Sequence, residues 1–122
     1  SYTTFAYSDL KITPEKVAPG GTVQVSLNVR NTGPMTGAEV VQLYLRDVAS
    51  SVDRPVRELK GFAKVTLMPG ETKPVTFTLD EAAMSFYSEK EDRWVAEPGA
   101  FEVQIGASSR DIRLKGTFEL TK

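Results

Sequence analysis

A two-residue rhythm of apolar and polar side chains runs through most of this chain. Over residues 22–30, Val23, Val25, Leu27 and Val29 fall on one side, with Gln24, Ser26, Asn28 and Arg30 on the other. Successive side chains of a strand point to opposite faces, so such a segment has one dry face and one wet face. The rhythm returns at Val75, Phe77 and Leu79, and again at Phe101, Val103 and Ile105. It holds through the last segment, where Ile112, Leu114, Gly116, Phe118 and Leu120 stay in phase. A helix would need apolar spacing near 3.6 residues, which these segments lack.

Two segments depart from simple alternation. In 40–46, Val41, Leu43 and Leu45 make one face, while Val40 and Tyr44 leave the other only half polar. That pattern predicts a central strand or a strand whose outer face is covered. Near Gly61 the phase slips, because Phe62 is out of step with Val65 and Leu67, which predicts a β-bulge or a change of strand. Pro19-Gly20-Gly21, Asn31-Thr32-Gly33-Pro34, Pro69-Gly70 and Pro98-Gly99 separate the runs. Pro presets the first turn position and Gly accepts a positive φ at the second. Only 80–86 reads as helical, a short turn with Asp80 as its cap and Ala82, Ala83 and Met84 behind it. The expected fold is all-β. It has about seven or eight antiparallel strands in a two-sheet sandwich, immunoglobulin-like or fibronectin type III-like. Trp94, in a late strand, reads as a core anchor.

Composition narrows function mainly by exclusion. The chain of 122 residues has neither Cys nor His. Disulfide frameworks, thiolate or imidazole metal sites and Ser-His or Cys-His nucleophiles are therefore excluded. A formal net charge of −1 argues against a nucleic-acid partner, which calls for clustered cations. No apolar run approaches the ~20 residues of a membrane helix, so no membrane partner is expected. Asp9, Asp47, Asp53, Asp80 and Asp111 are scattered and form no calcium loop, so neither metal nor cofactor is expected. The charged run Glu89-Lys90-Glu91-Asp92-Arg93 reads as a solvated hairpin turn, and Glu58 beside Lys60 as an ion pair. None of these acids suggests the desolvating pocket that a general acid requires, so no catalytic residue is assigned.

Taken in order, several segments carry a resemblance. They are SYTTF at 1–5, NTGPMTGAEVVQLY at 31–44, RPVRELKGF at 54–62 and LMPGE at 67–71, followed by Phe86-Tyr87, WVAEPGAF at 94–101 and GASSRDIRL at 106–114. Together they resemble the C-terminal fibronectin type III-like domain of glycoside hydrolase family 3, the β-glucosidase and β-xylosidase group. The resemblance covers nearly the whole chain. It implies that residues 1–122 are a single domain cut from a larger multidomain enzyme, a retaining glycosidase acting on terminal β-glycosidic bonds. In that family both reacting carboxyl groups lie upstream on other domains, so this chain alone is expected to be non-catalytic. The implied partners are the parent's catalytic domains, and the implied parent is secreted or periplasmic.

Two roles follow for the chain itself. As a docking module, it would use the 54–62 segment. Arg54 and Arg57 supply planar multi-donor groups, Pro55 stiffens the loop, and Leu59 and Phe62 offer apolar anchors. Tyr2 and Phe5 at the chain entry are expected to pack on the preceding domain. As a binding module for polysaccharide or lignin, it would need open aromatic rings. Tyr7, Tyr44 and Trp94 are the candidate stacking residues.

Overall fold

The computed structural model describes residues 3–54 and 57–122. Its elements in chain order are β1 (Phe5–Thr13), β2 (Lys16–Val17), β3 (Val23–Asn31), β4 (Gly37–Asp47), β5 (Glu58–Leu67) and β6 (Thr72–Leu79). Then come α1 (Glu81–Met84), β7 (Phe86–Ser88), β8 (Arg93–Val95), β9 (Gly99–Ser108) and β10 (Asp111–Leu120). One sheet has the order β1-β3-β6 and the other β2-β10-β9-β4-β5, with β7 and β8 forming a separate hairpin. Every pairing is antiparallel except the two-residue contact of β2 with β10. The seven long strands make the expected sandwich, and the three short strands are additions at its margins.

The alternating residues account for the core. Val23, Val25, Leu27 and Val29 of β3 join Val41, Leu43 and Leu45 of β4 and Phe101, Val103 and Ile105 of β9 in one buried cluster. Each fully buried side chain of this size stabilises the fold by about 1.5–3 kcal/mol, so the two sheets need no disulfide between them. The rings of Phe101 and Phe118 stack with centroids 5.4 Å apart. β4 is indeed central, flanked by β9 and β5. The phase slip near Gly61 is a bulge: Leu43 pairs with Gly61, but Tyr44 pairs with Leu59, leaving Lys60 extra. Gly61 lays bare backbone on the sandwich interior, and a Cβ there would sit 2.9 Å from the Phe77 ring.

The Pro-Gly turns at 18–21 and 68–71 form as their chemistry demands, whereas Gly99 at φ 140° already begins β9. The Glu71 amide donates to the Met68 carbonyl at 3.0 Å, with Gly70 between them at φ 79°. That is the positive φ a type II turn requires at its third position. Asp80 caps α1 by accepting from the Ala83 amide at 3.0 Å. The helix is shorter than 80–86, because Phe86 already pairs with Val95 in the hairpin.

Sequence alone did not mark Asn31 as more than a turn residue. It is completely buried at the end of β3. Its side-chain amide donates to the carbonyls of Met35 (2.8 Å) and Leu67 (2.9 Å), and its side-chain carbonyl accepts from Thr3 Oγ1 (2.7 Å) and the Gly33 amide (2.9 Å). Its backbone is paired with Glu71 and Gly70. One residue therefore ties the chain entry, the β3–β4 turn and the β5–β6 turn together, with its own buried polar atoms all satisfied.

Candidate interaction surfaces

The outer face of the five-stranded sheet is where β4 fails to be polar. Odd residues of β4 point inward, so Val40, Gln42 and Tyr44 point outward, opposite Lys64, Phe62 and Leu59 of β5. The bulge at Lys60 brings Leu59 and Phe62 onto the same outer face. Phe62 is 72% exposed and Leu59 50% exposed, with Val40 also open to solvent. Neither Leu59 nor Phe62 is a core residue. β5 is an edge strand whose Lys60 and Lys64 blunt it against pairing with another sheet edge.

The two arginines of the same segment are engaged inside the chain. Arg54 donates to Asp47 at 3.0 Å and to Glu58 at 3.1 Å, and its guanidinium lies 5.2 Å from the centre of the Phe86 ring. The side chains of Arg54 and Asp47 are only 10% and 4% exposed. Arg54 thus clips the β4–β5 loop onto both β5 and the hairpin. Lys60 adds a second cation to Glu58 at 3.3 Å. Burial alone would raise the Glu58 carboxyl, but the Arg54 hydrogen bond and the Lys60 charge hold it below the usual carboxylate range. A general acid needs the opposite shift. Arg57 crosses the outer sheet face, donating to Gln104 of β9 at 2.8 Å and to the Ser109 carbonyl, with its guanidinium 5.3 Å above the Tyr44 ring. Tyr2 and Pro55 lie outside the described residues.

The remaining candidates occupy different surroundings. Phe5 and Tyr7 of β1 are half-buried and pack against the core. The Tyr7 ring is covered by Arg113, 4.6 Å away, and its hydroxyl is buried without a hydrogen-bond partner among the described residues. Burial first, then the negative charge of Glu39, push the Tyr7 hydroxyl well above the ordinary tyrosine range. Arg113, hydrogen-bonded to Asp111, also donates to the Phe5 carbonyl at 2.8 Å. Tyr44 is half-covered by Arg57 and donates to Gln42.

Trp94 is not a core anchor. It is 68% exposed, because the β7–β8 hairpin stands outside both large sheets and offers it no facing layer. It pairs across the hairpin with Tyr87, ring centroids 5.7 Å apart in an edge-to-face arrangement, and Tyr87 is itself 45% exposed. The Tyr87 hydroxyl donates to Asp92 at the hairpin turn, which raises its pKa. The charged run 89–93 forms that turn and is solvated. Between the hairpin and the β4–β5 loop lies an open cleft of about 610 Å³ whose lining includes Val52, Asp53, Phe86, Tyr87, Glu89 and Lys90.

Known proteins share this architecture and sequence. The fibronectin type III-like domain profile matches residues 39–109. The chain is 52% identical over 115 residues to the thermostable β-glucosidase B of Acetivibrio thermocellus, covering 94% of this chain and 15% of that protein. The crystal structure of a Listeria innocua β-glucosidase bound to glucose superposes with a TM-score of 0.91 at 38% identity, over 99% of this chain and 16% of the other. A Bifidobacterium adolescentis β-glucosidase of glycoside hydrolase family 3 gives a TM-score of 0.89 at 40% identity, over 98% and 17%. The chain thus spans about 15% of the length of the curated β-glucosidase first named and matches a small domain of it.

Proposed function

The chain belongs to the fibronectin type III-like domain family, and from that premise we propose that it is the non-catalytic accessory domain of a family 3 β-glucosidase, docked onto the catalytic domains of its parent. In this reading the parent hydrolyses terminal β-glucosidic bonds, and both reacting carboxyl groups lie outside residues 1–122. The domain holds the catalytic domains in their mutual position.

The observation that carries the reading is the outer face of β4 and β5. A phenylalanine 72% exposed, beside an exposed leucine and valine on one sheet face, is an apolar patch that a partner surface would cover. Arg54 and Arg57 serve docking indirectly. Their internal bonds fix the loop and the sheet face, so little conformational freedom is lost when the patch is covered. Phe62 is the central anchor, with Leu59 and Val40 beside it.

The test is Phe62→Ala, made both in this chain and in the parent enzyme. In the chain alone the unfolding free energy should change by less than about 0.5 kcal/mol, as for a surface residue. In the parent, truncating an interface anchor should weaken domain association by about 1–2 kcal/mol and lower the melting temperature. A parent with unchanged melting temperature and activity would rule out this face as the interface.

A further inference from the structure

We propose that the cleft between the β4–β5 loop and the β7–β8 hairpin binds a short uncharged oligosaccharide, with Tyr87 of its lining and the neighbouring Trp94 as the stacking rings. Of the rings considered for stacking, Tyr7 and Tyr44 are covered by Arg113 and Arg57. Trp94 has no such cover. It is not part of the cleft lining itself but stands on the same hairpin face as Tyr87, which is, with ring centroids 5.7 Å apart. Their edge-to-face arrangement leaves each ring an apolar face of its own to set against the C–H face of a sugar ring.

The remaining lining supplies hydroxyl partners. Asp53, Glu89 and Lys90 line the cleft and form no ion pair or hydrogen bond among the described residues. Carboxylates accept from sugar hydroxyls and an ammonium donates to them. Charges of both signs in one cleft disfavour a multiply charged ligand and suit a neutral polyol. A volume of about 610 Å³ is that of an ordinary small-molecule site. One wall is already fixed, because Arg54 is bound to Asp47 and Glu58 and packs on the Phe86 ring. The site sits at the loop end of the sheet, apart from the Phe62 patch. It rests on the β-glucosidase reading only for the choice of β-linked glucose as first probe.

The experiment titrates the 122-residue chain with cellopentaose, laminaripentaose and xylopentaose, following amide chemical shifts and the emission of Trp94, the sole tryptophan. Saturable shifts are expected at 86–95 and 52–54, with the emission moving to shorter wavelength. Tyr87→Ala and Trp94→Ala should each weaken binding roughly ten-fold, the loss for one ring contact. Trp94→Phe, which keeps a flat ring, should retain most of it, and Phe62→Ala should leave it unchanged. Binding of xylopentaose alone would support the site with xylose in place of glucose as its sugar and would leave the reading of the parent untouched. No saturable change with any of the three sugars, or affinity unaltered by Trp94→Ala, would overturn the proposal.

Discussion

The two ends of the sandwich are built on opposite principles. At one end Asn31 gathers the chain entry and two turns around a fully buried amide, and its polar atoms are all satisfied within the domain. At the other end Arg54 secures a loop and a hairpin that leave Tyr87 and Trp94 open, with Phe62 and Leu59 exposed on the adjoining sheet face. Among the described residues, the closed end leaves two large apolar side chains exposed, Met35 and Met68, both in connections between strands. The open end instead keeps aromatic rings in water, which a domain does not need for its own folding.

The closed end depends most heavily on Asn31. Asn31→Leu keeps the volume but strands the carbonyls of Met35 and Leu67 and the amide of Gly33. Urea unfolding of the chain should show a loss of about 3 kcal/mol, several unsatisfied buried groups acting together. A loss below about 1 kcal/mol would mean that water replaces the amide and that the closed end is not closed. Arg54→Ala should come next, at about 2 kcal/mol, because it leaves the Asp47 carboxylate buried without its cation. Hydrogen exchange should rise in 47–54 and 86–95 while the Asn31 end stays protected.

A smaller effect is set by pH. The Glu58 carboxyl is held below its ordinary 4.5 in the folded chain, after Arg54 and Lys60 outweigh its burial. A depressed carboxylate contributes stability that is fully present above its unfolded value and is lost as pH falls through the folded one. Stability should therefore decline below about pH 4.5, and Arg54→Ala should flatten that slope. An unaltered slope in the variant would detach Glu58 from the clip.

Much of the sandwich was legible because burial on one face writes itself into every second residue. β3, β6, β9 and β10 were readable on that ground, as was the bulge beside Gly61. β1 was not, since Asp9 at φ 57° shifts the apolar phase from Phe5 and Tyr7 to Leu10 and Ile12. Trp94 misled because alternation reports a strand but not whether a second layer faces it. The segment 54–62 was recognisable as unusual, but not its division of labour. Arg57 finds its partners in Gln104 and Ser109, at a sequence distance that no local pattern encodes. Asn31 looked like turn chemistry for the same reason, since its partner Leu67 comes from another strand.

Docking through the β4–β5 face is read out by thiol accessibility at position 62. The chain has no cysteine, so Phe62→Cys introduces a single thiol in this domain. Met68→Cys, exposed at the closed end, provides the control. Both thiols should react rapidly with an aromatic disulfide reagent in the 122-residue chain. In a parent enzyme freed of other cysteines, the thiol at 62 should be protected at least roughly ten-fold, as expected of a desolvated interface centre, while the one at 68 stays reactive. Equal reactivity at 62 in chain and parent would contradict docking through this face.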